Sequence, residues 1–114
     1  MLTDSMATIQ YLKSLVQRFS EERGWKKHHT QKNLAIALCV EASELLNIYK
    51  WKEDAWLARN RTNAGAEITD EIADIMIYIL TFANVASIDL TKAVIEKMKK
   101  NAKKYPIKAH MRAK

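Results

Sequence analysis

Apolar residues of this 114-residue chain recur at three- and four-residue intervals through four long segments. That spacing stacks side chains on one face of an α-helix. Leu12, Leu15, Val16 and Phe19 mark the first segment, which predicts a helix from about Asp4 to Glu22 with Gly24 as its C-terminal cap. Leu34, Leu38, Leu45 and Ile48 mark the second, from about Gln31 to Tyr49, with Thr30 placed to cap its N-terminus. The third, from about Gly65 to Ala86, has a seam of Ile68, Ile72, Ile75, Ile79 and Phe82. The fourth starts near Asp89 and ends before Pro106, because the residue preceding a proline is pushed out of helical geometry. Trp51 to Asn63 form one long polar connection carrying Trp56 and Leu57. Two glycines and one proline are too few for the turns of a sheet protein. An all-α four-helix bundle follows. Its core is thin for this length, so completion by oligomerisation is expected.

A chain of this size builds one sizeable core, and 48% hydrophobic against 28% charged residues is a globular composition. Residues 1–106 are read as one domain and 107–114 as a basic C-terminal tail. The formal net charge of +6 is unevenly placed. Lys92 to Lys114 hold nine basic residues against one acidic, a net +8, while residues 1–91 are slightly acidic at −2. A basic pI therefore describes one end of the chain and does not license a nucleic-acid binder. The single Cys39 leaves no internal disulfide, and no Cys/His spacing suits structural zinc. No apolar run approaches the roughly 20 residues of a membrane span, and the first residues do not read as a signal peptide. A soluble, cytoplasmic protein with no membrane partner is expected.

The chemistry lies on the two middle helices. Glu41 falls on the second helix's apolar seam with Glu44 three residues on, and Glu71 and Asp74 repeat the pattern beside the third seam. Residues three apart share a helix face, so each helix aims a carboxylate pair one way. Rim acids paired with lysines are the bland reading for any one such pair. Two pairs abutting two seams favour a metal site, because four uncompensated anions near a core are prohibitively costly. All-oxygen donors suit Mg²⁺, with Mn²⁺ as a substitute, and Mg²⁺ retains coordination positions for phosphate. Lys97, Lys100, Lys103 and Lys104 supply cations on the fourth helix, and Trp25 and Trp51 supply aromatic faces at the ends of the second. His28, His29 and His110 are read as surface residues, Cys39, Met76 and Met98 as core fillers. Trp56 either packs a neighbouring subunit or covers the pocket.

Glu41-Ala-Ser-Glu44 followed by Glu71-Ile-Ala-Asp74 resembles the ExxE…ExxD signature of the MazG-like all-α nucleoside triphosphate pyrophosphohydrolases, in the branch of the dCTP pyrophosphatases. Phe19 to Trp25, Asn33 to Leu38, Tyr49-Lys-Trp51, Asp70 to Tyr78, and Lys97-Met98 with Asn101 through Pro106 resemble further segments of that family, so the likeness covers roughly residues 8 to 106. The resemblance implies Mg²⁺ on Glu41, Glu44, Glu71 and Asp74, the nucleobase at Trp25 and Trp51, deoxyribose at Tyr78, and phosphates at Lys97 and Asn101. It also implies a dimer or tetramer whose active sites neighbouring chains complete. Val16 stands where dCTP-preferring relatives carry a histidine, and Asn47 where many members have a further acid. The expected reaction is water attack on the α-phosphorus of a deoxynucleoside triphosphate (dCTP-like, with dATP or modified dNTPs as further substrates), giving monophosphate and pyrophosphate. Glu41 is the preferred acceptor of the water's proton. The rival readings are a basic helical module binding nucleic acid and a non-catalytic oligomeric scaffold. Neither explains the seam-side acids as well.

Overall fold

Local capping sets where each helix begins. The computed structural model describes residues 1–108, and among these all regular structure is helical. Helix α1 spans Ile9–Glu22, α2 Gln31–Tyr49, α3 Asp54–Arg59, α4 Gly65–Ala86 and α5 Leu90–Lys104. The bounds of α2 and α4 are those the periodicity predicts. Helix α1 starts later than expected, at Ile9 rather than Asp4, because Thr8 is extended (φ −101°, ψ 162°) and its hydroxyl caps the Tyr11 amide. The remaining difference is α3, a short helix in the connection expected to be irregular. Asp54 in its first turn and Arg59 in its last complement the helix dipole. Trp56 of α3 meets Tyr49 edge-to-face at 6.4 Å, so it packs within its own chain.

Helices α2 and α4 form the principal pair, and α1 packs on α4. Leu34 (2% exposed), Ile68, Leu80 and Ala83 are the fully buried apolar residues. Two long-range hydrogen bonds tie α1 to the far end of α4: Asn84 Nδ2 donates to the Lys13 carbonyl, and Lys13 Nζ donates to the Ile88 carbonyl, both at 2.9 Å. Ser87 then turns the chain in the left-handed region (φ 56°), and α5 leaves at 101° to α4. Asp89 caps α5 through the Lys92 amide at 3.0 Å.

Several seam residues remain uncovered. Leu15, Phe19 and Ile72 are exposed, and so are Cys39 and Met98, which were expected to fill the core. Met76 is half-buried as expected. Helix α5, with Val94, Ile95 and Met98 exposed, makes no extended packing contact with the other helices, which accounts for Met98. The radius of gyration is 17.7 Å, against about 13 Å for a compact chain of this length. The accessible surface is 9512 Å², against roughly 6,400 Å² for a compact monomer of this mass.

Candidate functional site

Pairing α2 with α4 along their seams brings the acids together. Carboxylate oxygens of Glu41, Glu44 and Glu71 lie within 4.8 Å of one another. Glu41 and Glu71 are half-buried and Glu44 is exposed. The Glu41 carboxyl is raised to about 7, first because it shares a proton with Glu71. Burial raises it next, and then the negative charges of Glu44, Glu71 and Asp74. Asp74 is thus close enough to act on the cluster, though it is outside the tightest group of three. The Oε2 atoms of both Glu41 and Glu71 are buried without a hydrogen-bond partner. Buried, orphaned carboxylate oxygens among like charges are stabilised by a cation, and an all-oxygen donor set fits a hard one. The residues present therefore fit the divalent ion that the sequence reading assigns to them.

One helical turn from Glu71, the same face of α4 opens into a cavity shared with α1. It measures about 580 Å³ and takes in Asp74, Tyr78, Val16, Phe19 and Trp25. Local structure fixes the tryptophan. After α1, Gly24 adopts φ 65°; its amide donates to the Glu21 carbonyl and the Trp25 amide donates to the Ser20 carbonyl at 3.0 Å. This is the Schellman arrangement, which needs a residue free to take positive φ at that place. It sets the Trp25 ring edge-to-face with Phe19 at 5.6 Å, while the Arg23 guanidinium lies over the Phe19 ring, 3.4 Å from its centroid. An aromatic wall next to a carboxylate cluster can hold a flat ring on one side and bound charge on the other.

The predicted residues therefore divide. Glu41, Glu44, Glu71, Asp74, Tyr78 and Trp25 form one contiguous region. Trp51 is 75% exposed at the end of α2, with the Lys50 ammonium 5.0 Å from its ring, and does not line that cavity. Lys97 is exposed and Asn101 half-buried on α5, which has no extended contact with α2 or α4.

Ser20 and His29, not singled out for the site, are among the residues lining the cavity. Ser20 is buried and faces it, and His29 is half-buried against it rather than on the surface. His28 is exposed as expected, and His110 lies outside the described residues. The cap pattern carries a signal for His29. It stands immediately before the Thr30 N-cap, five residues ahead of buried Leu34, the two positions that a hydrophobic staple brings together.

Comparison with known proteins agrees with this arrangement. A family model described as the MazG-like family matches residues 36–114. The chain is 34% identical over 106 residues to dCTP pyrophosphatase 1 of Rattus norvegicus, covering 88% of this chain and 60% of that protein. It is 34% identical over 110 residues to dCTP pyrophosphatase 1 of Homo sapiens, covering 91% and 61%. It thus spans about three-fifths of the length of the curated relatives it matches. A crystal structure of a pyrophosphatase from Archaeoglobus fulgidus superposes with a TM-score of 0.76 at 36% identity, covering 94% of this chain and all of the other. With the family model matching most of the chain, and the ExxE and ExxD acids converging where α2 meets α4, this protein belongs to the MazG-like family.

Proposed function

We propose that this chain is a Mg²⁺-dependent nucleoside triphosphate pyrophosphohydrolase that cleaves a deoxynucleoside triphosphate to the monophosphate and pyrophosphate. The observation that carries the reading is the cluster of Glu41, Glu44 and Glu71, with two orphaned buried oxygens, beside an aromatic-walled cavity reached through Asp74 and Tyr78. The dCTP pyrophosphatases among its relatives support a nucleotide substrate, with dCTP the first to test and dATP or modified dNTPs next.

Glu41, Glu44, Glu71 and Asp74 would hold the ion. When bound, Mg²⁺ (or Mn²⁺ in its place) neutralises phosphate charge and makes a water more acidic. Trp25 and Tyr78 grip the base and sugar, and Trp51, outside this chain's own cavity, would add an aromatic face to the site of a second copy. Glu41, half-buried where α2 faces α4, is the candidate to accept the proton of the water attacking the α-phosphorus. Lys97 and Asn101 receive the departing phosphates.

Those last two roles fall to a second copy of the chain. Helix α5 offers Val94, Ile95 and Met98 to solvent, and α2 offers Ile36, Val40 and Leu46. The surface in excess of a compact monomer, on the order of 3,000 Å² per chain, is of the scale that a permanent dimer interface buries. Closed twofold association, as a dimer or a tetramer of such pairs, covers it most simply. Sedimentation equilibrium tests this, and a stable monomer at micromolar concentration would remove it.

The reaction is tested by incubating the protein with dCTP and Mg²⁺ in ¹⁸O-water and resolving the products. Pyrophosphate release with label in the monophosphate is expected. Orthophosphate release, or label in the pyrophosphate, rejects attack at the α-phosphorus.

A further inference from the structure

We infer that His29 and Ser20 form the polar end of the base pocket and set the base preference of the enzyme. This deepens the nucleotide-hydrolase reading and rests on it. The cavity between α1 and α4 is walled by Val16, Phe19, Trp25 and Tyr78, surfaces that accept any flat ring and distinguish none. Selectivity among bases comes from buried groups that are left unpaired when the wrong edge arrives. Besides Asp74, which belongs with the carboxylates, the polar groups lining the cavity among the described residues are Ser20, His29, Thr81, the phenol of Tyr78 and the donor-only indole N–H of Trp25.

These groups are not equivalent. The Thr81 hydroxyl donates to the Ile77 carbonyl at 2.7 Å, so its proton is committed to its own helix. Ser20 is 9% exposed, and its hydroxyl makes no hydrogen bond among the described residues, although Thr69 and Thr81 both bond back to their own helix. His29 likewise has no side-chain partner among the described residues, and it also lines a smaller void of about 90 Å³ that Ser20 and Thr81 share. A neutral imidazole carries one donor and one acceptor, and a hydroxyl can rotate to serve as either. Together they can satisfy the adjacent donor and acceptor on the edge of a nucleobase.

The backbone holds His29 in place. It closes the 3₁₀ turn Lys26–His28, its amide donating to the Lys26 carbonyl at 3.1 Å. The Asn33 side chain donates to the His28 carbonyl at 3.0 Å, and Thr30 Oγ1 accepts the Asn33 amide at 3.1 Å. His28 is thereby left outside and His29 inside. Val16 shares this cavity and cannot hydrogen-bond, which leaves Ser20 and the histidine from the α1–α2 connection as the uncommitted polar groups at this end.

The test measures kcat/KM for dCTP, dTTP, dATP and dGTP with wild type, His29→Ala, His29→Gln and Ser20→Ala. For the favoured base, His29→Ala should lower kcat/KM about 10- to 100-fold, the effect of losing one buried hydrogen bond. The least favoured base should change less than about 3-fold, and His29→Gln should recover part of the difference. Equal loss for all four bases, no loss, or a wild type without base preference overturns the assignment. A separate measurement, imidazole ¹⁵N resonances during titration with the four deoxynucleoside monophosphates, does not depend on turnover. If wild type hydrolyses none of the triphosphates, the hydrolase reading fails. Base-dependent shifts of His29 then still uphold the pocket, and unchanged His29 resonances overturn it.

Discussion

Helix α5 is the more clearly amphipathic of the pair α2 and α5, yet it is α2 that finds a partner within the chain. Leu34 of α2 is buried to 2% exposure against α4, while Val94 and Met98 of α5 are 59% and 61% exposed. Both helices are capped by the side chain preceding them, Thr30 for α2 and Asp89 for α5. Capping and periodicity therefore form a helix without deciding what it packs against. The α2–α4 pair turns most of its apolar seam inward, exposed Ile72 excepted, and Glu41 and Glu71 along it become a concentrated negative charge. Helix α5 leaves its apolar side exposed in the single chain and carries a concentration of lysines instead of acids.

The contrast is most sharply broken at the acids. Glu71→Gln or Glu44→Ala should reduce pyrophosphate release on the order of 10³-fold, as loss of a transition-state-stabilising group does. With Glu71→Gln the metal-free protein should nonetheless melt higher, because a like charge beside Glu41 is gone. Retention of wild-type turnover in either variant would remove that residue from the site.

Core truncation separates the two helices next. Leu34→Ala should cost roughly 2–5 kcal/mol in urea unfolding, the range for a buried leucine. Val94→Ala should change the unfolding of the dissociated chain by less than about 0.5 kcal/mol, as an exposed substitution does. The paired change Val94→Glu with Met98→Glu should instead shift the sedimentation profile toward monomer and lower activity with it. An unchanged profile would free α5 of the association role.

A pH series probes the charge stored in the acidic pair. Glu41 is raised to about 7 in the fold from an ordinary 4.5, so the folded state binds the extra proton. The stability this group contributes is complete below pH 4.5 and is lost as pH rises through 7. Mg²⁺ requires the deprotonated carboxylates, so its binding strengthens over the same interval. The gap between melting midpoints with and without Mg²⁺ should widen from pH 5 to pH 8. A constant gap would separate the cation from Glu41.

The caps give the smallest effect and the finest resolution. Thr30→Ala should lower global stability by about 1 kcal/mol, because α2 unfolds with the core. In the dissociated chain Asp89→Ala should leave the global midpoint unchanged and speed amide exchange in the first turn of α5 alone. A global loss for Asp89→Ala would mean that α5 is folded as part of the core.

Much of this arrangement can be read from residue order. The bounds of α2 and α4 and the caps at Gly24, Thr30 and Asp89 all depend on neighbours a few positions away. Spacing within each helix likewise aims Glu41 with Glu44 and Glu71 with Asp74. The inward turn of His29 was missed because a histidine in a polar connection has no periodicity to betray it. Its direction follows from a hydrogen-bond clamp spanning His28, Thr30 and Asn33. Cys39 and Met98 were placed in the core because an apolar residue on a helix was credited with a covering partner.

Helix identity, capping and the direction of each carboxylate pair are short-range properties, governed by sterics and hydrogen bonds over about four residues. The meeting of Glu41 with Glu71, the cavity between α1 and α4, and the bareness of α5 are long-range ones. They depend on how α1, α2 and α4 bury surface against one another, and on the Ser87 turn that directs α5 away from them. Residue order supplied the charges. Packing brought three of them within 4.8 Å and left two of their oxygens without a partner.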